Sequence, residues 1–361
     1  MKIYFDQQIF TQQKYGGISR YIFELSKNLN YLGQDTKILA PLYINVYIKN
    51  NPNVIGQHIE DYPKFTRKFF NYSNFLMAKL HFIDPRNRPK ILHETYYSSY
   101  SVIPIHIPKI ITVHDMIHEI FPQNFSVNDK TTQIKRRAIE RANHVICISE
   151  CTKQDLIRIL NIPEHKISVV YHGISELIGD EYCHIAYPFF LYVGQRNGYK
   201  NFEILLRTYA HSSFLRHNFK IIAFGGGSFT HEENKLMIQL NLNLNSIIHL
   251  SGSDGLLKSL YKQAVAFIYP SLYEGFGFPP LEAMMYGCPT ISANASCIPE
   301  ITGSASLLFN PLSIDDLLEK MELVLTNDMR TQLIEKGLIH HQKFTWEKCS
   351  KETLNAYHSI L

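Results

Sequence analysis

The chain contains no run of about 18 apolar residues, which excludes a membrane-spanning helix. Met1-Lys2-Ile3-Tyr4-Phe5 enters a strand directly, without the apolar core and small-residue cleavage site of a signal peptide. Cysteine is sparse: six residues, at 147, 151, 183, 288, 297 and 349, with only Cys147 and Cys151 close together and no second pair to complete a zinc site. They read as reduced thiols, and the protein as cytoplasmic. Charged residues make up 19% of the chain and the net charge is +4, too mild to point to nucleic acid.

What is present is enough for two domains. The chain has 361 residues, 45% of them hydrophobic. It is organised around residues 269–299. The buried run Ala264-Val265-Ala266-Phe267-Ile268 reads as a strand and delivers the glycine-rich turn Glu274-Gly275-Phe276-Gly277-Phe278. Pro279 and Pro280 suit the first turn of a helix over Leu281–Tyr286, which Gly287 stops. Free amides and the helix dipole at such an N-terminus favour an anion. Glycines at 275 and 277 let the backbone approach a ligand closely. Glu274 and Glu282 frame the turn, and each carboxylate can accept two hydroxyls of a sugar. A Glu near a helix start is also ordinary capping.

The first half reads as alternating strands and helices. A strand at residues 2–6 and a loop from Gln7 lead to Gly16-Gly17, where an amphipathic helix opens with Ile18, Tyr21, Ile22, Leu25 and Leu29 on one face. Two glycines at a helix start give a phosphate-approach loop, or a plain turn. Strands are expected at Thr36–Leu39 and Lys90–His93. The β-branched run Lys109-Ile110-Ile111-Thr112-Val113 is a buried parallel strand that carries His114 and Asp115 at its carboxyl end, the edge where open α/β sheets bind ligands. A basic helix over Asp129–Asn143, strands at 145–149 and 167–171 and the turn His172-Gly173-Ile174 complete this half. A polar linker is expected near Ser175–Tyr187.

The second half opens with the strand Phe189–Gly194. The following loop carries Arg196 and Lys200, and two cations there suit a diphosphate, one as a bidentate fork and one as a point charge. A solvated basic loop is the plainer alternative. Gly225-Gly226-Gly227 follow the strand Phe219–Phe224 and allow close approach to a base or phosphate, or make a tight turn. Helices are expected over Ile314–Leu325, Asp328–Gln342 and Trp346–Leu361.

Residues 274–289 resemble the donor-binding signature of retaining GT-B glycosyltransferases of family 4, E-G-F-G-x-P-x-x-E-A-M-A-x-G-x-P-V. Glu274, Gly275, Phe276, Gly277, Pro279, Glu282, Ala283, Met284, Gly287 and Pro289 match it. Val193-Gly194-x-Arg196-x-x-x-Lys200-Asn201, the Thr112-Val113-His114-Asp115 string and Phe344-Thr345-Trp346 are similar to further family strings, so the resemblance covers nearly the whole chain, least clearly residues 43–90. It implies two Rossmann-like doubly wound α/β domains facing across a cleft. An acceptor-binding domain would span 1–174, joined by the last helix, 347–361. A donor domain would span 188–346. It further implies transfer of a sugar from a nucleoside diphosphate sugar with retention. No metal or other cofactor is expected, since no Asp-x-Asp motif stands near the site and the cations can offset the leaving diphosphate. Arg196 and Lys200 would hold the diphosphate, Glu274 the donor sugar and His114 the reaction centre. Donor binding would extend over Gly16, Gly17, Gly225, Phe276, Gly277, Phe278, Leu281 and Glu282, with Glu282 on the ribose.

Composition and the Ser-Leu-Tyr-Glu-Gly-Phe-Gly-Phe-Pro-Pro run resemble bacterial O-antigen and capsule mannosyltransferases that use GDP-mannose or related GDP-sugars and build on a polyprenyl-diphosphate-linked glycan. A same-fold nucleotide-sugar epimerase and a non-catalytic nucleotide-sugar-binding subunit are the alternatives; presence of all four of Arg196, Lys200, Glu274 and Glu282 speaks against the second. Pro63–Lys90 holds seven Lys/Arg against one Asp, interleaved with aromatics. That pattern suits peripheral contact with an anionic membrane on its inner face, or a partly buried helical hairpin with a solvated basic side, and less well an RNA groove.

Overall fold

The computed structural model describes residues 1–104 and 106–361. The chain divides into two compact units, 1–173 with 345–361, and 174–344. Each is a parallel-sheet α/β domain.

The first unit holds seven strands: β1 (Lys2–Phe5), β2 (Asp35–Tyr43), β3 (Val54–His58), β4 (Ile91–Glu94), β5 (Lys109–Val113), β6 (His144–Cys147) and β7 (Ile167–Val169). Their order is β3-β2-β1-β4-β5-β6-β7. All five residues of β5 are buried, as a β-branched run in a doubly covered sheet requires. Every pairing is parallel, and the order reverses between β1 and β4, where Ile3 pairs with Ile91. The helix Gly17–Tyr31 buries Tyr21, Ile22, Leu25 and Leu29 in one core with Cys349, Ala356 and Tyr357 of the helix Trp346–His358. Gly173 is sterically required: a Cβ there would lie 2.2 Å from the Trp346 nitrogen.

Several details differ from the sequence reading, among them the unexpected strand Val54–His58. The expected loop after β1 contains a short helix, Gln8–Gln12. Residues 63–90 form no hairpin of helices but one long helix, Arg67–His81, followed by a short turn at Pro85–Asn87. That long helix buries Asn74 and Ala78. The Asn74 amide accepts from Leu42 N at 2.7 Å and donates to Leu42 O at 2.9 Å, beside the register shift between β2 and β3. The helix is thus anchored where β2 cannot satisfy its own backbone.

The second unit holds β8 (Phe189–Val193), β9 (Lys220–Phe224), β10 (Ile247–Leu250), β11 (Ala266–Tyr269), β12 (Thr290–Ala293) and β13 (Ser306–Phe309), in the order β10-β9-β8-β11-β12-β13. The order reverses between β8 and β11. The stretch expected to be a linker belongs to this unit. Leu177 is in its core, and the amides of Cys183 and Ile185 donate to Ser259 Oγ and Gln263 Oε1. Buried leucine and paired amides leave no free tether there. Trp346, expected in the donor domain, packs with Tyr21 and His172 in the first unit.

Candidate functional site

In the second unit the loop after β8 and the turn after β9 are tied together by one side chain. The Arg196 side chain is 3% exposed. Its Nε donates to Glu233 Oε1 at 2.7 Å, Nη1 to Gly225 O at 2.8 Å, and Nη2 to the carbonyls of Gly227 and Ser228 at 2.9 and 3.0 Å. Phe229 and Phe202 lie against the guanidinium, 4.8 and 5.9 Å from ring centroid to Cζ. Gly225, Gly226 and Gly227 all have positive φ, which curls three carbonyls inward. A Cβ on Gly226 would come within 2.7 Å of Gly194 O and 3.0 Å of Arg196 Nη1. Glu233 also closes a capping box with Thr230 at the start of the helix His231–Gln239. Sequence reasoning missed Glu233. The Thr-x-x-Glu spacing marks the cap, but nothing local tells that the carboxylate also reaches back 37 residues.

Lys200 ends a short turn, Gly198–Lys200, and its Nζ lies 2.7 and 2.9 Å from the Glu274 carboxylate oxygens. The Glu274 backbone N–H donates to Ser296 Oγ at 2.9 Å, and the Cys297 thiol reaches the carbonyls of Glu274 and Phe276, both at 3.1 Å. Burial, then the Glu274 charge, pushes the Tyr269 phenol well above its usual ionisation. Gly277, with φ +110, caps the helix Phe278–Met285, which starts three residues before the expected Leu281 because Pro279 and Pro280 lie inside its first turn. Phe276 is buried against Phe278 and Phe344. The Leu281 side chain is wholly in the core, so only its backbone is available to a ligand. Glu282 is half-buried and accepts from the Tyr261 phenol at 3.4 Å.

In the first unit His114 follows β5 and is 8% exposed. Burial holds its imidazole down to about 4, so it is neutral at neutral pH. Its Nε2 has no hydrogen-bond partner among the described residues. The ring stacks on His172 at 5.8 Å and meets the edge of Tyr21 at 5.5 Å. Tyr21 stands on the helix that Gly17 opens, one turn in from the glycine pair. Nothing lies within 4 Å of where a Gly17 Cβ would be. Beneath them His93, held at about 3 by burial and the neighbouring His114, bonds Thr112 Oγ1 at 2.9 Å and the Tyr357 phenol at 2.7 Å. Lys135 was not singled out in the sequence. Its ammonium is buried between Glu119 Oε2 at 2.8 Å and the Asp115 carbonyl at 3.0 Å, fixing the turn that bears His114. No cluster of three metal-ligating side chains occurs among the described residues.

Two parallel-sheet α/β domains of this kind match the GT-B fold. The Anabaena protein HepE, solved with UDP and glucose, superposes with a TM-score of 0.71 over 99% of this chain and 100% of its own, at 16% identity. The description "Glycosyltransferase Family 4" matches residues 15–176 and "Glycosyl transferases group 1" matches 186–340. The chain belongs to the glycosyltransferases, pairing a family 4 domain with a group 1 domain. It is 24% identical over 365 residues to O-antigen chain mannosyltransferase B of Escherichia coli, covering 94% of this chain and 95% of that one. It is 28% identical over 219 residues to O-antigen chain mannosyltransferase RfbU of Salmonella typhimurium, covering 59% of this chain and 60% of that one.

Proposed function

We propose that this glycosyltransferase moves mannose from GDP-mannose, with retention, onto a lipid-linked glycan in bacterial polysaccharide synthesis. The observation that carries the chemistry is the Lys200–Glu274 pair, a cation and a carboxylate held together beside a glycine-started helix N-terminus. The mannosyltransferase relatives support the donor sugar. An acceptor hydroxyl oxygen bonds the anomeric carbon while the bond from that carbon to the diphosphate oxygen breaks. The acceptor proton passes to the departing diphosphate on the same face. Lys200 and the amides at Gly277 offset the charge that grows there. Glu274 holds donor hydroxyls and Glu282 the ribose. Arg196 shapes the glycine turn beside the diphosphate and leaves at most one Nη1 hydrogen for it. The neutral His114 imidazole, through Nε2, meets a sugar hydroxyl at the reaction centre.

The lipid-linked acceptor places the enzyme against a membrane. No helix of the described residues is long and apolar enough to cross one. Phe65, Phe69, Tyr72, Leu76, Leu80 and Ile83, spaced by three and four, are all exposed along and beside the helix Arg67–His81. Lys64, Lys68 and Lys79 flank them. An apolar stripe turned to solvent and rimmed by lysines suits an anionic bilayer surface.

Incubation with GDP-mannose and an acceptor extract, with product linkage read by NMR, tests the reading. An α-linked mannosyl product from GDP-mannose supports it. Transfer only from a UDP-sugar, or an inverted product, overturns the finer assignment, and donor conversion without acceptor would make the protein an epimerase.

A further inference from the structure

The sheet of the first unit reverses its order between β1 and β4, and the carboxyl ends of two such strands border the crevice where open parallel sheets take ligands. A cleft of about 660 Å³ is lined there by residues that follow β1, residues that follow β4, and the helix Arg67–His81. This lies within the roughly 300–1,000 Å³ of ordinary small-molecule sites. The two strand ends are locked. Thr95 donates its N–H and hydroxyl to Asp6 Oδ1 at 3.0 and 2.7 Å, and the Gln8 amide donates to Oδ2 at 2.7 Å.

The lining has a definite chemistry. Gln7, Gln8, Gln12 and Asn71 bring four carboxamides, and Phe75 and Tyr100 bring rings 6.3 Å apart at 62°. The one cation, Lys79, lies over the Phe75 ring at 4.7 Å, and no carboxylate is among the described lining residues. Gln7 is 6% exposed and its Oε1 has no hydrogen-bond partner among the described residues. A buried amide oxygen without a donor is unfavourable, and a ligand hydroxyl supplies one. Carboxamides that both donate and accept, set against aromatic faces, match a neutral ligand dense in hydroxyls with an apolar C–H side. A phosphate would need more than one cation, already committed to a ring. A lipid tail would leave the amides unpaired.

We propose that this cleft is a glycan subsite that takes one or two uncharged hexose units of the acceptor chain, with Gln7 receiving a sugar hydroxyl and Phe75 and Tyr100 walling the C–H face. As an acceptor subsite it rests on the transferase reading, but glycan binding can be measured without turnover. β4 lies between β1 and β5, so the cleft is one strand removed from His114. It therefore holds sugars next to the one that reacts and sets how long an acceptor must be. Tyr72 of the apolar stripe also lines the cleft, so a chain held at the stripe can reach it.

The test is saturation-transfer NMR of the full chain with α-linked mannotriose, with inorganic phosphate as the anionic probe. The variants are Tyr100→Ala, exposed and so safe for folding, and Gln7→Leu. Binding of mannotriose that weakens about 5- to 10-fold in Tyr100→Ala, while the GDP thermal shift stays unchanged, supports the subsite. Equal mannotriose affinity in wild type and Tyr100→Ala overturns it, as does no signal at millimolar sugar, or displacement of the sugar by phosphate. Should GDP give no shift while mannotriose binding still depends on Tyr100, the donor reading fails and the subsite stands. With an active preparation, wild type should prefer long acceptors over single sugars, and Tyr100→Ala should lose that preference.

Discussion

Lys200 Nζ sits 2.7 Å from Glu274 Oε1 and 2.9 Å from Oε2, so the cation expected on the diphosphate and the carboxylate expected on the sugar are already partners. In the proposed mechanism a donor seated between them would exchange this pair for two new ones. Lys200→Ala and Glu274→Gln should each lower turnover by about 10²-fold or more. The double variant should lose less than the product of the two, because the residues act as a unit. Initial rates of sugar transfer check both statements, and near-wild-type rates in either single variant remove that residue from the chemistry.

Arg196 and Glu233 make a different kind of pair. The guanidinium is buried and serves three carbonyls as well as the carboxylate. Arg196→Ala should destabilise the protein by about 3–5 kcal/mol in urea unfolding, because it strands a carboxylate and a curled backbone. Arg196→Lys should recover little of that, since one ammonium cannot reach four acceptors in a plane. Unchanged unfolding midpoints would show that the glycine turn holds itself.

Glu282→Ala should weaken GDP binding more than it slows turnover at saturating donor, seen as a smaller thermal shift with GDP and a raised KM. Tyr261→Phe, which removes the phenol donating to Glu282, should do the same more mildly. Equal GDP shifts in wild type and Glu282→Ala would take the ribose away from this carboxylate.

His114 should show no titration near 6.5 in NMR of its ring protons, since burial holds it at about 4. An imidazole lowered on folding is protonated first in the unfolded chain, so its stabilising effect is complete above 6.5 and is lost as pH falls toward about 4. The buried acids Asp6 and Glu94 are shifted upward by burial and act in the opposite sense. A difference measurement cancels them. Between roughly pH 6 and 5, His114→Gln should lose about 1.2 kcal/mol less stability than wild type.

Phe69→Glu combined with Leu76→Glu should release the protein from anionic vesicles while leaving its melting temperature nearly unchanged, because both side chains face solvent. Co-sedimentation with anionic and with neutral vesicles reads the effect. Equal pelleting of the double variant with anionic vesicles would leave the stripe as a feature of the surface alone.

The parts legible in the sequence were those written locally. β5 could be read because its β-branched run has one interpretation, and the loops at 194–201 and 274–282 because glycine, proline and charge fall within one βα turn. What was not legible depends on distance along the chain. Asn74 reads as an ordinary helical residue until β2 presents Leu42 with both backbone groups open. The strand Val54–His58 has Gly56 in its middle and two exposed positions, so it lacks both alternation and a hydrophobic run. The stretch 175–187 looks like a tether because its anchors, Ser259 and Gln263, are about 80 residues away. Gln7 is one more polar residue in a loop until the fold buries it.

The helix Trp346–His358 completes the core of the first unit, yet it follows the whole of the second. Ile174 N and Phe344 O, at the two ends of the second unit, are hydrogen-bonded at 3.1 Å. On the ribosome, therefore, the unit begun first is finished last: residues 174–344 form a contiguous segment that can close on itself while residues 1–173 still lack part of their interior. The usual order of synthesis, N-terminal domain first, is inverted. Expressed alone, 174–344 has the makings of an independent domain with adjoining termini, whereas 1–173 would present the bare face that Trp346, Cys349 and Tyr357 normally fill.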